Sequence, residues 1–200
     1  MISIPNDNNG SSLKEIPKAG LRAAYCYYVV DLGVQDGGPT YDNKHQILAM
    51  FELNETIMEE GEYFGKKFVI SKFYNLSAYE KSNLAVDTKN WLGIEIEPEM
   101  NIDEILVGKV ATLNIAHKAT TKDPSKERAQ IATINPPMDQ MEDWEIENGP
   151  KIEGWHFPNW VQKIREKAIT KPEDFGTCPF EPDTTNKTTS SHAGADTNSY

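Results

Sequence analysis

Two hydrophobic rhythms run along this chain, and the change from one to the other divides it into elements. Short stretches that alternate, or are continuously apolar and rich in Val, Ile, Tyr and Phe, indicate strands. Residues 20–33, "GLRAAYCYYVVDLG", lie between two glycines and read as a first strand. Residues 35–43, "QDGGPTYDN", have the chemistry of a turn. Residues 44–53, "KHQILAMFEL", form a second strand, with Ile47, Ala49, Phe51 and Leu53 alternating with Leu48, Met50 and Glu52. An acidic connector, 54–65, leads to a third strand at 66–76.

From Ser77 the period lengthens to about 3.6. Ser77 and Glu80 have the spacing of a capping box, Leu84, Thr88 and Trp91 follow at helical intervals, and Gly93 marks the end. Residues 100–108 predict one helical turn, 108–118 a fourth strand, 119–127 a loop, and 128–135 a fifth strand before Pro136 and Pro137. Further on, Asn159 and Gln162 repeat the capping-box spacing, and Trp160, Val161, Ile164 and Ala168 form an apolar stripe that predicts a helix packed on the domain.

Strand, strand, strand, helix, strand, strand is the element order of an OB-fold. The expected fold is therefore mainly β, of the α+β kind. It is a five-stranded OB-type barrel with a helix between strands 3 and 4, a C-terminal helix and a disordered tail. A generic α+β sheet fits the same order. The organisation expected is a flexible arm at 1–18, a nucleic-acid-binding domain at 19–170 that includes a C-terminal extension (138–170), and a tail at 171–200. That tail is dominated by Pro, Thr, Ser and Asn, and buries too little to offset the entropy of ordering.

The 200 residues are 38% hydrophobic, enough for one ordinary domain with tails. No apolar run approaches the ~18 residues of a membrane helix, and the polar N-terminal stretch lacks the apolar region of a secretory signal. These features lead to the expectation of a soluble, cytoplasmic protein with no membrane association. Cys26 and Cys178 define no disulfide framework and are expected to be reduced. The four histidines are scattered, with no Cys or carboxylate at metal-ligand spacing. There is neither a phosphate-binding glycine loop nor a nucleophile elbow. The sequence thus offers no positive reason to expect an enzyme, a cofactor or a metal, and its acidic clusters read as solvated loops.

Charge changes this picture. The formal net charge is −11, yet residues 66–74 are net +3 and residues 109–128 are also net +3. Overall acidity does not prevent a local basic patch from holding a polyanion. An OB barrel binds oligonucleotides on strands 2 and 3 and their flanking loops, with lysines tracking phosphates and aromatic rings stacking on bases. On that scheme Lys44, Lys67, Lys72, Lys118 and Lys122 contact phosphates, and Tyr28, Phe73 and Tyr74 stack on bases. Strict alternation turns Phe68, Ile70, Lys72, Tyr74 and Leu76 inward, and Lys67, Val69, Ser71, Phe73 and Asn75 outward. A bulge would reassign the second half of that strand. Tyr27 and Tyr28 are expected on opposite faces. The plainer reading is a half-buried strand that carries lysines for solubility.

A series of segments, in order, resembles a group of small phage-encoded single-stranded DNA-binding proteins. They are "IPKAGLRAAYCYYVVDLGVQ" (16–35), "HQILAMFEL" (45–53), "FVISKFYNLSAYEKSNLAVDTKNWLG" (68–93), "LVGKVATLNIAH" (106–117), "IATINP" (131–136) and "FPNWVQKIREKAI" (157–169). The resemblance implies an OB-type fold and non-sequence-specific single-strand binding in phage DNA replication, recombination or repair. It also implies location in the host cytoplasm, replication or recombination proteins as further partners, and no enzymatic activity or cofactor. Homo-oligomerisation stays open. The chain departs from the pattern at Phe73, where the group usually has a basic residue, and in its last ten residues, where Asp196 is the only acid. The alternative is a protein-interaction module, an adaptor or inhibitor of a host factor acting through the acidic 138–157 segment. A weaker third reading is an OB-type barrel for another ligand such as an oligosaccharide.

Overall fold

The computed structural model describes residues 15–56, 64–121, 123–138, 145–153 and 155–170. Among these the protein is mainly β. Its strands are β1 (Gly20–Gln35), β2 (Lys44–Thr56), β3 (Lys67–Asn75), β4 (Val110–Ala119) and β5 (Glu127–Asn135). Three short helices, α1 (Asn83–Leu92), α2 (Ile102–Leu106) and α3 (Asn159–Glu166), complete the fold. The strands form one antiparallel sheet in the order β3-β2-β1-β4-β5. The sheet is not closed. Its edges, β3 and β5, approach one another without a hydrogen-bonded ladder between them among the described residues.

The long strand β1 organises the sheet. Its first residues, Gly20 to Tyr25, pair with β4, and Ala24 to Gln35 pair with β2. Two register shifts interrupt the second ladder, one between Cys26 and Tyr28 and one between Asp31 and Gly33. The first shift overturns the expectation for the tyrosine pair. An extra residue in a strand rotates the residues beyond it, so Tyr27 and Tyr28 both reach the ring of Trp155, at 6.3 and 5.7 Å between centroids.

Each face of the sheet has its own core. One is built from Ile47, Ala49, Phe51, Phe68, Ile70 and Tyr74 with residues of β1, β4 and β5, and is closed by Leu84 and Trp91 of α1 and Ile102 and Leu106 of α2. The Trp91 indole donates to the Val110 carbonyl at 2.7 Å, which fixes α1 to β4. The second core lies on the opposite parity of β1 and β2, where Tyr27, Val30, Leu32, Leu48 and Met50 are covered by Val161, Ile146, Trp155, Phe157 and Ile164 of the C-terminal extension. Burying a side chain such as Leu48, Met50 or Val161 is worth about 1.5–3 kcal/mol, so the extension is an integral layer.

The helix starts differ from those read in the sequence. α1 begins at Asn83 with Ser82 as its N-cap, and the Ser82 hydroxyl accepts from the Ala85 N–H at 3.1 Å. Ser77 instead makes a local turn, accepting from the Tyr79 N–H at 3.2 Å. Two serines five positions apart both precede the apolar stripe, and the local pattern does not choose between them. The C-terminal end is as expected: Gly93 takes φ 69°, a left-handed conformation that favours glycine, and its N–H closes on the Lys89 carbonyl. The cap of α3 is Pro158 rather than Asn159, and no side chain caps that helix. The single turn predicted at 100–108 is α2, capped by Asn101. The arm expected at 1–18 and the tail expected at 171–200 lie largely or wholly outside the described residues. Pro17 is buried, and its carbonyl lies 2.9 Å from His117 Nε2.

Candidate nucleic-acid interface

The ladder between β2 and β3 runs without a shift from Gln46↔Asn75 to Glu52↔Val69. Strict alternation therefore holds along β3, and it sorts the candidates. Phe68, Ile70 and Tyr74 point into the core, and Val69, Phe73 and Asn75 point outward. Tyr74 is 3% exposed. Its hydroxyl donates to Asp87 Oδ2 at 2.8 Å. Burial first, and then the Asp87 charge, push the phenol far above its usual range, so it stays a donor. Tyr74 is thus a core residue with no free ring face for a base.

Two of the candidate lysines are held by carboxylates of the protein itself. Lys72 Nζ lies 2.6 Å from Asp87 Oδ2 and 5.6 Å from the centre of the Tyr74 ring. Lys67 Nζ lies 3.3 Å from Glu52 Oε1 and also donates to the Glu145 carbonyl. Glu52 is fully buried on β2. Its Oε2 accepts from the backbone N–H groups of Glu147 and Asn148 at 2.9 and 2.8 Å, and from the Asn148 amide at 2.9 Å. The Lys67 N–H meets Glu147 Oε2 at 3.2 Å. This network fastens the start of the C-terminal extension to the outer surface of β2 and β3. Gly149 continues the close approach: it has φ 126°, and a Cβ there would stand 3.3 Å from the Tyr27 ring.

Tyr28 is half-buried beneath the same layer, with ring centroids 5.7 Å from Trp155 and 5.4 Å from Phe157. The outer surface of β1 and β2 is thus roofed by the extension, which covers the β2 part of the β2–β3 face that an OB-type binder would offer to a strand.

The remaining candidates are open. Phe73 is 47% exposed and faces Trp160 of α3, itself 43% exposed, with ring centroids 6.2 Å apart and planes tilted by 52°. Lys44 is exposed at the head of β2 and lines a groove of about 530 Å³. The groove lies between the start of β2 and the segment from Asn75 through the β3–α1 connection. Asn75 is the next outward position after Phe73, so the aromatic pair adjoins this groove. Lys118 is exposed near the end of β4, beside Arg128 across the β4–β5 ladder. Along β1 it lies at the Gly20 end, whereas Lys44 lies at the Gln35 end, so the structure does not bring these two together along the strand. Lys122 lies outside the described residues.

Three surface residues are absent from the sequence-based candidates: Tyr79, Lys81 and Trp160. A capping box at Ser77 assigns Tyr79 and Lys81 to the first turn of a helix, but they belong to the exposed loop before it. Helical spacing assigns Trp160 to the apolar stripe of α3. A helix start at Ser82 is the signal that places both loop residues on the surface.

Among the described residues, no helix is long and apolar enough to cross a membrane. No group of three or more His, Cys, Asp or Glu side chains is assembled among them that could hold a metal ion. Cys26 is buried and free, and Cys178 lies outside the described residues. Compared with protein-family models and with curated proteins, the chain has no match.

Proposed function

We propose that this protein is an OB-type single-stranded DNA-binding protein without sequence preference, acting in phage DNA replication, recombination or repair. The observation that carries the reading is the exposed pair of Phe73 and Trp160 next to a groove that holds Lys44. Aromatic faces that accept any base, beside cations that hold phosphates, are what sequence-tolerant single-strand binding requires. The strand order supports the OB-type part, because β3 and β5 are the edges that such a barrel brings together, and OB-folds in general are only partly closed. The phage role rests on the ordered series of similar segments.

Of the candidate residues, Lys44, Phe73 and Lys118 remain as direct contacts, and Trp160 joins them. Lys67, Lys72, Tyr28 and Tyr74 become the frame that holds the surface.

The test is fluorescence anisotropy of a labelled oligo-dT at low and high salt, beside a duplex of equal length. The expected result is single-strand binding that exceeds duplex binding and weakens as salt rises, because each neutralised phosphate releases counterion. Absence of single-strand affinity at low salt would overturn the proposal and direct attention to protein partners.

A further inference from the structure

The groove beside Lys44 is built for more than a passing phosphate. Its two cations are Lys44 and Lys81, and neither lies within 4.0 Å of a carboxylate among the described residues. Four lysines elsewhere are held by carboxylates: Lys67 by Glu52, Lys72 by Asp87, Lys89 by Glu95 and Lys126 by Asp123. Glu80, next to Lys81 in sequence, does not line the groove. The first turn of α1, which borders the groove, carries no acid.

The rest of the lining is of a different kind. Tyr79 is 61% exposed and contributes a ring. Asn43, Asn75 and Asn83 contribute three side-chain amides. Amides offer both donors and acceptors, the complement of a base edge. Asn43 and Asn75 each use the amide oxygen inside the protein, towards the Gly37 N–H and the Gln46 amide, which holds both side chains in place. Two unneutralised cations, one exposed ring and three amides in one polar groove match the three parts of a nucleotide.

We infer that this groove seats one nucleotide of a bound single strand, with its phosphate on Lys44 and Lys81, its base on the ring of Tyr79 and its base edge towards the asparagines. The inference rests on the single-strand reading above and adds to it a fixed register point. The strand continues from the groove over the outward row of β3 to Phe73 and Trp160.

The experiment compares the full chain with Tyr79→Ala, Lys81→Ala and, as a control, Lys89→Ala, using the labelled oligo-dT. All three replaced side chains are exposed, so folding is retained, and circular dichroism verifies it. Tyr79→Ala is expected to weaken binding roughly tenfold, the loss of one stacked base. Lys81→Ala is expected to weaken binding and to lower the slope of log affinity against log salt by about 0.7, the value for one phosphate of a single strand. Lys89→Ala leaves both unchanged. If the unaltered protein binds and neither groove variant weakens it, the groove inference is overturned and the single-strand reading stands. If the unaltered protein does not bind, both fall.

Discussion

Asp87 shows how a residue that looks like part of a binding strand can belong to the scaffold. Its Oδ2 takes the Tyr74 hydroxyl at 2.8 Å and the Lys72 ammonium at 2.6 Å. Tyr74→Phe removes one hydrogen bond to a charged acceptor and is expected to cost about 1.5 kcal/mol. Tyr74→Ala also empties a core site and is expected to cost about 4 kcal/mol. Urea unfolding measures both, and equal costs would mean that the ring is not packed as described. Charge reversal at Lys72 would set a carboxylate beside Asp87, so such a variant tests folding before it tests binding. The inward direction of Tyr74 is legible in the sequence, since strict alternation from Phe68 and Ile70 already places it there. Its partner is not, because Asp87 lies on a helix whose distance from β3 no local pattern reports.

The C-terminal extension is held by one carboxylate more than by any other polar group. Glu52 accepts from three N–H groups of residues 147 and 148 and pairs with Lys67. Glu52→Ala leaves those donors without their carboxylate and is expected to destabilise the protein by about 3–5 kcal/mol. Glu52→Leu combined with Lys67→Met is expected to be milder than Glu52→Leu alone, because it removes both charges from the buried site. Denaturant titration of the single and double variants decides this, and a double variant worse than the single would argue against a buried pair. The strands themselves are readable from apolar rhythm, and their boundaries move by only a few residues. What the rhythm conceals is the second layer. In "ILAMFEL" the apolar run is nearly continuous, the signature of a strand covered on both sides, although it also parses as an alternation. The described part of the acidic 138–157 segment is folded against β1, β2 and β3, which no local pattern reports.

Across the whole molecule, the two cores share β1 and β2, so neither can be lost while the other persists intact. Trp91 reports on one side of the sheet and Trp155 on the other. Thermal unfolding followed by tryptophan fluorescence and by circular dichroism is therefore expected to give one coincident transition. Two separated transitions would show that the extension melts independently. The candidate surface is the least legible part of the chain, because cation availability depends on pairings made at long range: Glu52 holds Lys67, whereas Lys44 has no such neighbour among the described residues. The double covering of β2 has one more consequence. Ile47, Leu48, Ala49, Met50, Phe51, Glu52 and Leu53 are all buried. An ordinary half-wet strand lets every second position vary freely over evolutionary time. This one offers no such position between Ile47 and Leu53, so among descendants of this gene that stretch would drift slowly along its whole length.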